Sequence, residues 1–231
     1  LLPRREAVPA ARNAFEPIQA AAKAVSLTTA EFYAVEQELA AEHRHGRHMY
    51  KILARNERAL ALFDEAMALP ELQVPAVTDS TVDLSYLERW QELGRLKALE
   101  ARDQSYKHRL PRAARLLVTL CEFGWRLQGA DGSMAHVSLG LRLQRLAVEE
   151  LIRLVEMYEA RMPPDVLIEC ADDLRQYRHN TAGVVAACRV EYAIWCADAE
   201  AIKARSYAGA YPGVKGLLKP YGTNRFGLRV N

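Results

Sequence analysis

Apolar residues step along this chain by three and four. Ile52-Leu53-Asn56-Ala59-Leu60-Phe63-Ala66-Met67 forms one such stripe, and Leu84-Leu87-Leu93-Leu96-Leu99 a second. Ala113-Leu116-Leu117-Leu120-Phe123-Leu127 and Leu139-Leu143-Leu146-Leu151-Leu154-Tyr158 continue the pattern, and Val184-Cys188-Tyr192-Trp195-Ala199-Ile202 closes it. This is the spacing of helices with one buried face. Period-two alternation is almost absent, so no sheet is expected.

The breaks between stripes carry their own chemistry. Leu69-Pro70 and the run from Val74-Pro75 to Asp79-Ser80 end one helix, and Ser80 or Asp83 can cap the next. A short turn spans Tyr106 to Pro111, with Pro111 suited to a first helical turn. Gly129-Ala130-Asp131-Gly132-Ser133 is a stop and turn, with Ser133 as a cap. Met162-Pro163-Pro164-Asp165 and, more weakly, His179-Asn180-Thr181 complete the set. About seven helices with short links follow, and short links make neighbours antiparallel. The expected fold is all-α, an antiparallel helical-hairpin array of tetratricopeptide-like character, over residues 1–206. Ala101 and Ala113 should face each other across a tight turn, although the motif's aromatic positions and its 34-residue period are missing. Residues 207–231 are too rich in Gly and Pro for a long helix and form an irregular tail.

Composition narrows the class. The chain has 231 residues, is half apolar and 26% charged, and carries 31 Lys and Arg against 29 Asp and Glu. That excludes a disordered or low-complexity chain, and the near-neutral balance gives no pull toward nucleic acid. No internal stretch reaches the ~20 apolar residues of a membrane span. Leu1-Leu2 before Pro3-Arg4-Arg5 reads equally as the end of an apolar anchor or as a processed terminus.

Several short motifs occur in a telling order. They are Arg12-Asn13-Ala14-Phe15, Ala54-Arg55-Asn56 leading to Ala68-Leu69-Pro70, and Leu84-Ser85-Tyr86-Leu87. Phe123-Gly124-Trp125-Arg126-Leu127-Gln128 follows before the Gly-rich turn, and Leu217-Leu218-Lys219-Pro220 with Thr223-Asn224-Arg225 ends the series. Together they resemble an uncharacterised family of bacterial proteins with one N-terminal membrane anchor and an exported, all-helical, tetratricopeptide-like body. Met134-Ala135-His136 departs from the Leu- and Ile-rich segment usual there. The resemblance implies a place at the periplasmic face of the cytoplasmic membrane, with the membrane reached only through an anchor that this sequence lacks. It supplies no catalytic residue.

Candidate chemistry is sparse. His43, His45 and His48, with Glu38 or Glu42, are the sharpest cluster, and a metal-dependent helical enzyme is the alternative they raise. Against it, Arg44 and Arg47 interrupt the cluster, and positions 43 and 45 point to different sides of a helix. The four Cys form no CxxC, which leaves zinc ribbons, thioredoxin chemistry and c-type haem unsupported. Cys188 and Cys196 lie about 12 Å apart in helical rise, too far to bridge. A turn near Asn180 would bring Cys170 close to Cys188, either as a disulfide or as two buried thiols.

Glu149-Glu150 and Asp172-Asp173 suit solvated helix faces, since adjacent helical residues diverge by about 100°. Glu191, on the most apolar helix, is expected to be buried and paired with Arg175 or Arg178. The 129–132 turn lacks phosphate-loop spacing, and Ser133 and Ser138 lack a nucleophile elbow. Tyr207, Tyr211, Tyr221 and Phe226, with Arg225 and Arg229, give the tail an interface-like composition. The reading is a non-enzymatic interaction or scaffold module, an accessory subunit binding other proteins. It assigns no catalytic, cofactor or metal residue.

Overall fold

The computed structural model describes residues 6–41, 47–178 and 180–207, with residues 47 and 202–207 described through the backbone alone. Every regular element among them is helical: α1 Phe15–Lys23, α2 Thr29–Ala40, α3 Arg47–Arg55, α4 Glu57–Met67, α5 Tyr86–Tyr106, α6 Leu110–Gln128, α7 Met134–Tyr158, α8 Pro164–Gln176 and α9 Thr181–Tyr207. A single 3-10 turn, Glu159–Arg161, follows α7. The all-α expectation holds.

Nine helices stand among the described residues where about seven were expected, for two local reasons. First, the 52–67 run splits at Asn56, a fully buried residue. Its Nδ2 donates to the Ile52 carbonyl at 2.8 Å, and its Oδ1 accepts the Ser26 N–H at 2.6 Å. A side chain that bonds back to its own helix competes with the backbone ladder and ends it. Second, the Ala-rich N-terminal region forms both α1 and α2. Between them Thr28 and Glu31 make a capping box, with the Thr28 N–H donating to Glu31 at 2.9 Å and Thr28 Oγ1 accepting the Glu31 N–H at 3.3 Å.

α5 is the axis of the molecule. It packs against α1, α2, α3 and α4 on one side and against α6 and α7 on the other. Phe15, Tyr86, Trp90, Phe63 and Phe123 stack edge to face or tilted where these layers meet, at centroid distances of 5.2–5.8 Å. Ala101 and Ala113 are both buried in a second cluster with Leu117, Leu154, Val166 and Cys170. α6 and α7 approach backbone to backbone. A Cβ on Gly124 would stand 2.5 Å from the Gly140 carbonyl oxygen, so neither glycine admits a larger residue without separating the helices.

The N-terminal segment is clamped to the loop after α4. Asn13 Nδ2 donates to the Gln73 carbonyl at 2.9 Å, and Asn13 Oδ1 accepts the Gln73 N–H at 3.0 Å. Gln73 Oε1 accepts the Val8 N–H at 2.9 Å, and Arg12 pairs with Glu71 at 2.6 Å.

The expected hairpin of residues 165–204 is not formed. α8 packs on α6 and α9 on α7. Cys170 is buried, Cys188 is exposed, and all four cysteines are free, so the proposed 170–188 link is corrected. Gly183, having no side chain, lets the start of α9 lie against the Gln128 carbonyl at the end of α6.

Candidate functional site

The polar residues that matter lie inside the helical layers. Ser133 caps α7 and His136, three residues on, completes the box: the Ser133 N–H donates to His136 Nδ1 at 3.1 Å. That bond assigns the ring proton to Nε2, which donates to Tyr86 Oη at 2.6 Å. Ser133 Oγ lies 3.2 Å from Nδ1. A Ser–His–Tyr set in this order resembles a nucleophile with its base, but Ser133 is 2% and His136 0% exposed. Burial pushes the His136 imidazole down to about 4, and burial with the nearby Asp83 charge pushes the Tyr86 phenol up to about 12. Both are neutral at pH 7. A neutral, closed set of this kind locks α5 to α7 and offers a substrate no approach.

A second buried set joins three helices. Arg102 on α5 grips Glu150 on α7 through two bonds, Nε–Oε2 at 3.0 Å and Nη2–Oε1 at 2.7 Å. Its remaining protons go to carbonyls at the end of α2, those of Glu38, Ala41 at 3.1 Å and Leu39 at 2.9 Å. Arg153 adds a bond to Glu150 at 2.6 Å and another to the Leu39 carbonyl. Cations suit a helix C-terminus, where unpaired carbonyls gather. The solvated face expected for Glu150 is therefore wrong. Only Glu149 fits that description, paired with Arg145 at 2.7 Å. Lys97, fully buried, bonds Asp64 at 2.6 Å and Glu100 at 2.8 Å and ties α5 to α4.

Other expected residues resolve as follows. Glu191 is exposed, and its Oε1 accepts the Met134 N–H at 2.9 Å, capping α7. It pairs with neither arginine, and Arg175 instead bonds Asp172. His48 is exposed on α3, while His43 and His45 lie outside the described residues. So do the tail residues Tyr211, Tyr221, Phe226, Arg225 and Arg229, and Leu1 through Arg5. Among the described residues, no three His, Cys, Asp or Glu side chains converge in a metal-binding arrangement. No helix among them is long and apolar enough to cross a membrane. A groove of about 410 Å³ between the N-terminal clamp and the start of α9 is lined by Gln73, Trp125 and Asn180 together with the charged residues Glu71, Arg126 and Asp131.

The short motifs read from the sequence before residue 129 supply structural polar residues, while those at 217–220 and 223–225 lie outside the described residues. Asn13 holds the clamp and Asn56 ends α3. Tyr86 meets His136. Arg126 Nη1 donates to the Leu69 carbonyl, and Gln128 Nε2 donates to the Gly124 carbonyl at 3.2 Å.

What the surface offers is apolar. On α7, Leu141, Val148 and Ile152 form a stripe opposite the buried face, 48%, 37% and 51% exposed. On α9 the buried side is Gly183, Ala187 and Val190, while Val185, Tyr192 and Trp195 face outward. The sequence stripe had placed Tyr192 and Trp195 inside. No protein-family model, curated protein or solved structure matches the chain.

Proposed function

We propose that this protein is a non-enzymatic interaction module, an accessory or scaffold subunit that docks another protein on the outer face of α7. The observation that carries this reading is the exposed Leu141–Val148–Ile152 stripe. The three positions fall within about 40° of one another around the helix and span about 17 Å along it. An apolar helix face of this kind is read by a partner helix or groove. The interior polar sets support the same reading, because all are spent on holding helices together.

The consecutive antiparallel run α5–α6–α7 is the unit of a hairpin array, with tetratricopeptide-like character as its finer description. The family resemblance adds a setting: the extracytoplasmic face of a bacterial cytoplasmic membrane, held there by an N-terminal anchor.

The test is cross-linking of the full chain in native membranes, followed by mass spectrometry. The wild type should capture a defined protein, and Leu141→Asp with Ile152→Asp should lose it while circular dichroism stays unchanged. Equal capture by the variant would remove α7 from the binding surface.

A further inference from the structure

The outer face of α9 carries a regular apolar stripe that the body of the protein leaves uncovered. Val185, Cys188, Tyr192, Trp195 and Ala199 recur at alternating steps of three and four, a strict seven-residue repeat. Val185, Tyr192 and Ala199 occupy one register and Cys188 and Trp195 the other. A repeat of this kind lines one face of a helix and suits packing against another helix, as it does inside the protein for Ala113, Leu117, Leu120 and Leu127 on α6. Tyr192 and Trp195 are 65% and 66% exposed and Cys188 is exposed. The opposite face, Gly183, Ala187 and Val190, is already spent on the body of the protein. Apolar residues all round a helix belong to one covered on both sides.

We infer that this seam is covered by α9 of a second copy of the chain, running antiparallel about a two-fold axis between residues 193 and 194. Two features select that occupant. The first is size. With this axis Cys188, Tyr192, Trp195 and Ala199 each meet a position of the other register. Tyr192 lies against the second copy's Trp195, Cys188 against its Ala199, and both contacts repeat by symmetry. Large residues meet at the centre, with the smaller Cys188 and Ala199 on either side of them.

The second feature is charge. Arg189 and Glu200 lie on the same flank of the seam, and both are exposed. An antiparallel two-fold brings like flanks together, so Arg189 of each copy stands within one turn of Glu200 of the other. The acids on the opposite flank are already engaged within the chain: Glu191 caps Met134, and Asp198 bonds Ser80 at 3.3 Å. A parallel pair would set the Arg189–Glu200 flank against those occupied acids. The described seam is short, so the dimer is expected to be a concentration-dependent one in equilibrium with monomer.

Sedimentation equilibrium of the full chain tests this. A monomer–dimer equilibrium is expected, and Tyr192→Glu or Trp195→Glu should weaken it at least tenfold with helical content unchanged. Arg189→Glu should weaken it as well, and adding Glu200→Arg should restore it. Ala199→Cys should give an oxidatively cross-linked dimer through Cys188, at a yield well above that of the parent. A monomer at every concentration overturns the inference, whichever segment or foreign protein then covers α9. A dimer indifferent to Trp195→Glu, or a charge reversal that is not rescued, overturns it too. None of these outcomes bears on the α7 face, which the cross-linking experiment reads separately.

Discussion

Arg102 and Glu150 are 48 residues apart in sequence and meet as a two-pronged ion pair in the interior, both under a tenth exposed. Removing one charge strands the other. Glu150→Ala should cost about 3–5 kcal/mol. A buried pair replaced by apolar residues of similar volume is often neutral, so Arg102→Met with Glu150→Leu would ordinarily recover the loss. Here it should not. Arg102 also serves the carbonyls of Glu38, Leu39 and Ala41, and each one stranded costs about 1–3 kcal/mol. Urea denaturation of the two variants decides this. Full recovery in the double variant would show that the grip on α2 contributes nothing.

His136 makes stability depend on pH. Its folded value of about 4 lies below the ordinary 6.5, so the unfolded chain binds the proton more readily. Stability contributed by the neutral ring is therefore full above pH 6.5 and falls as pH drops toward 4. The span corresponds to about 3 kcal/mol. His136→Gln keeps a side chain able to complete the capping box and removes the titration. Melting temperatures between pH 7 and 4 should fall less steeply in that variant than in the wild type. Parallel curves would remove His136 from the acid response.

The glycines of α5, α6 and α7 should answer differently to alanine. At Gly140 the new methyl meets the Gly124 carbonyl, and backbone cannot step aside, so a cost of about 2–3 kcal/mol is expected. At Gly94 the nearest atom is the terminal Cδ2 of Leu143, which can rotate. There the better helix propensity of Ala, worth up to about 1 kcal/mol, offsets the crowding. Thermal denaturation of Gly140→Ala and Gly94→Ala should rank them in that order, and equal losses would refute the close α6–α7 approach.

How much of this was legible follows from what periodicity measures. Stripes of Leu and Ala located α4 to α7, and the turn residues 129–133 and 162–165 located their ends. Periodicity cannot say what a polar residue on a stripe is doing. Asn56 sits within the 52–67 stripe in phase with its apolar residues, yet it is the point where the helix ends. Glu150 sits beside Leu151 and looked like half of a solvated acidic pair, because its partner comes from another helix. A polar residue in phase with an apolar stripe was the available signal for both.

α9 failed in another way. Apolar residues surround it, and its heaviest stripe, with Tyr192 and Trp195, is not the inner face. The body selected Gly183 and Ala187, because small side chains let two backbones approach. The His136 box was half visible: Ser133 was a recognisable cap, but a histidine in the place of Glu or Gln hides the motif.

The clamp between the N-terminal segment and the loop after α4 has a mechanical consequence. A force applied at residue 6 reaches Gln73 first, through its bonds to the Glu6 carbonyl and the Val8 N–H, and next the Asn13 bonds. Phe15, the first aromatic of the interior, lies beyond both. Tension on a leash attached at this end would be spent on surface hydrogen bonds, which can peel and re-form, before any strain reached the packed helices.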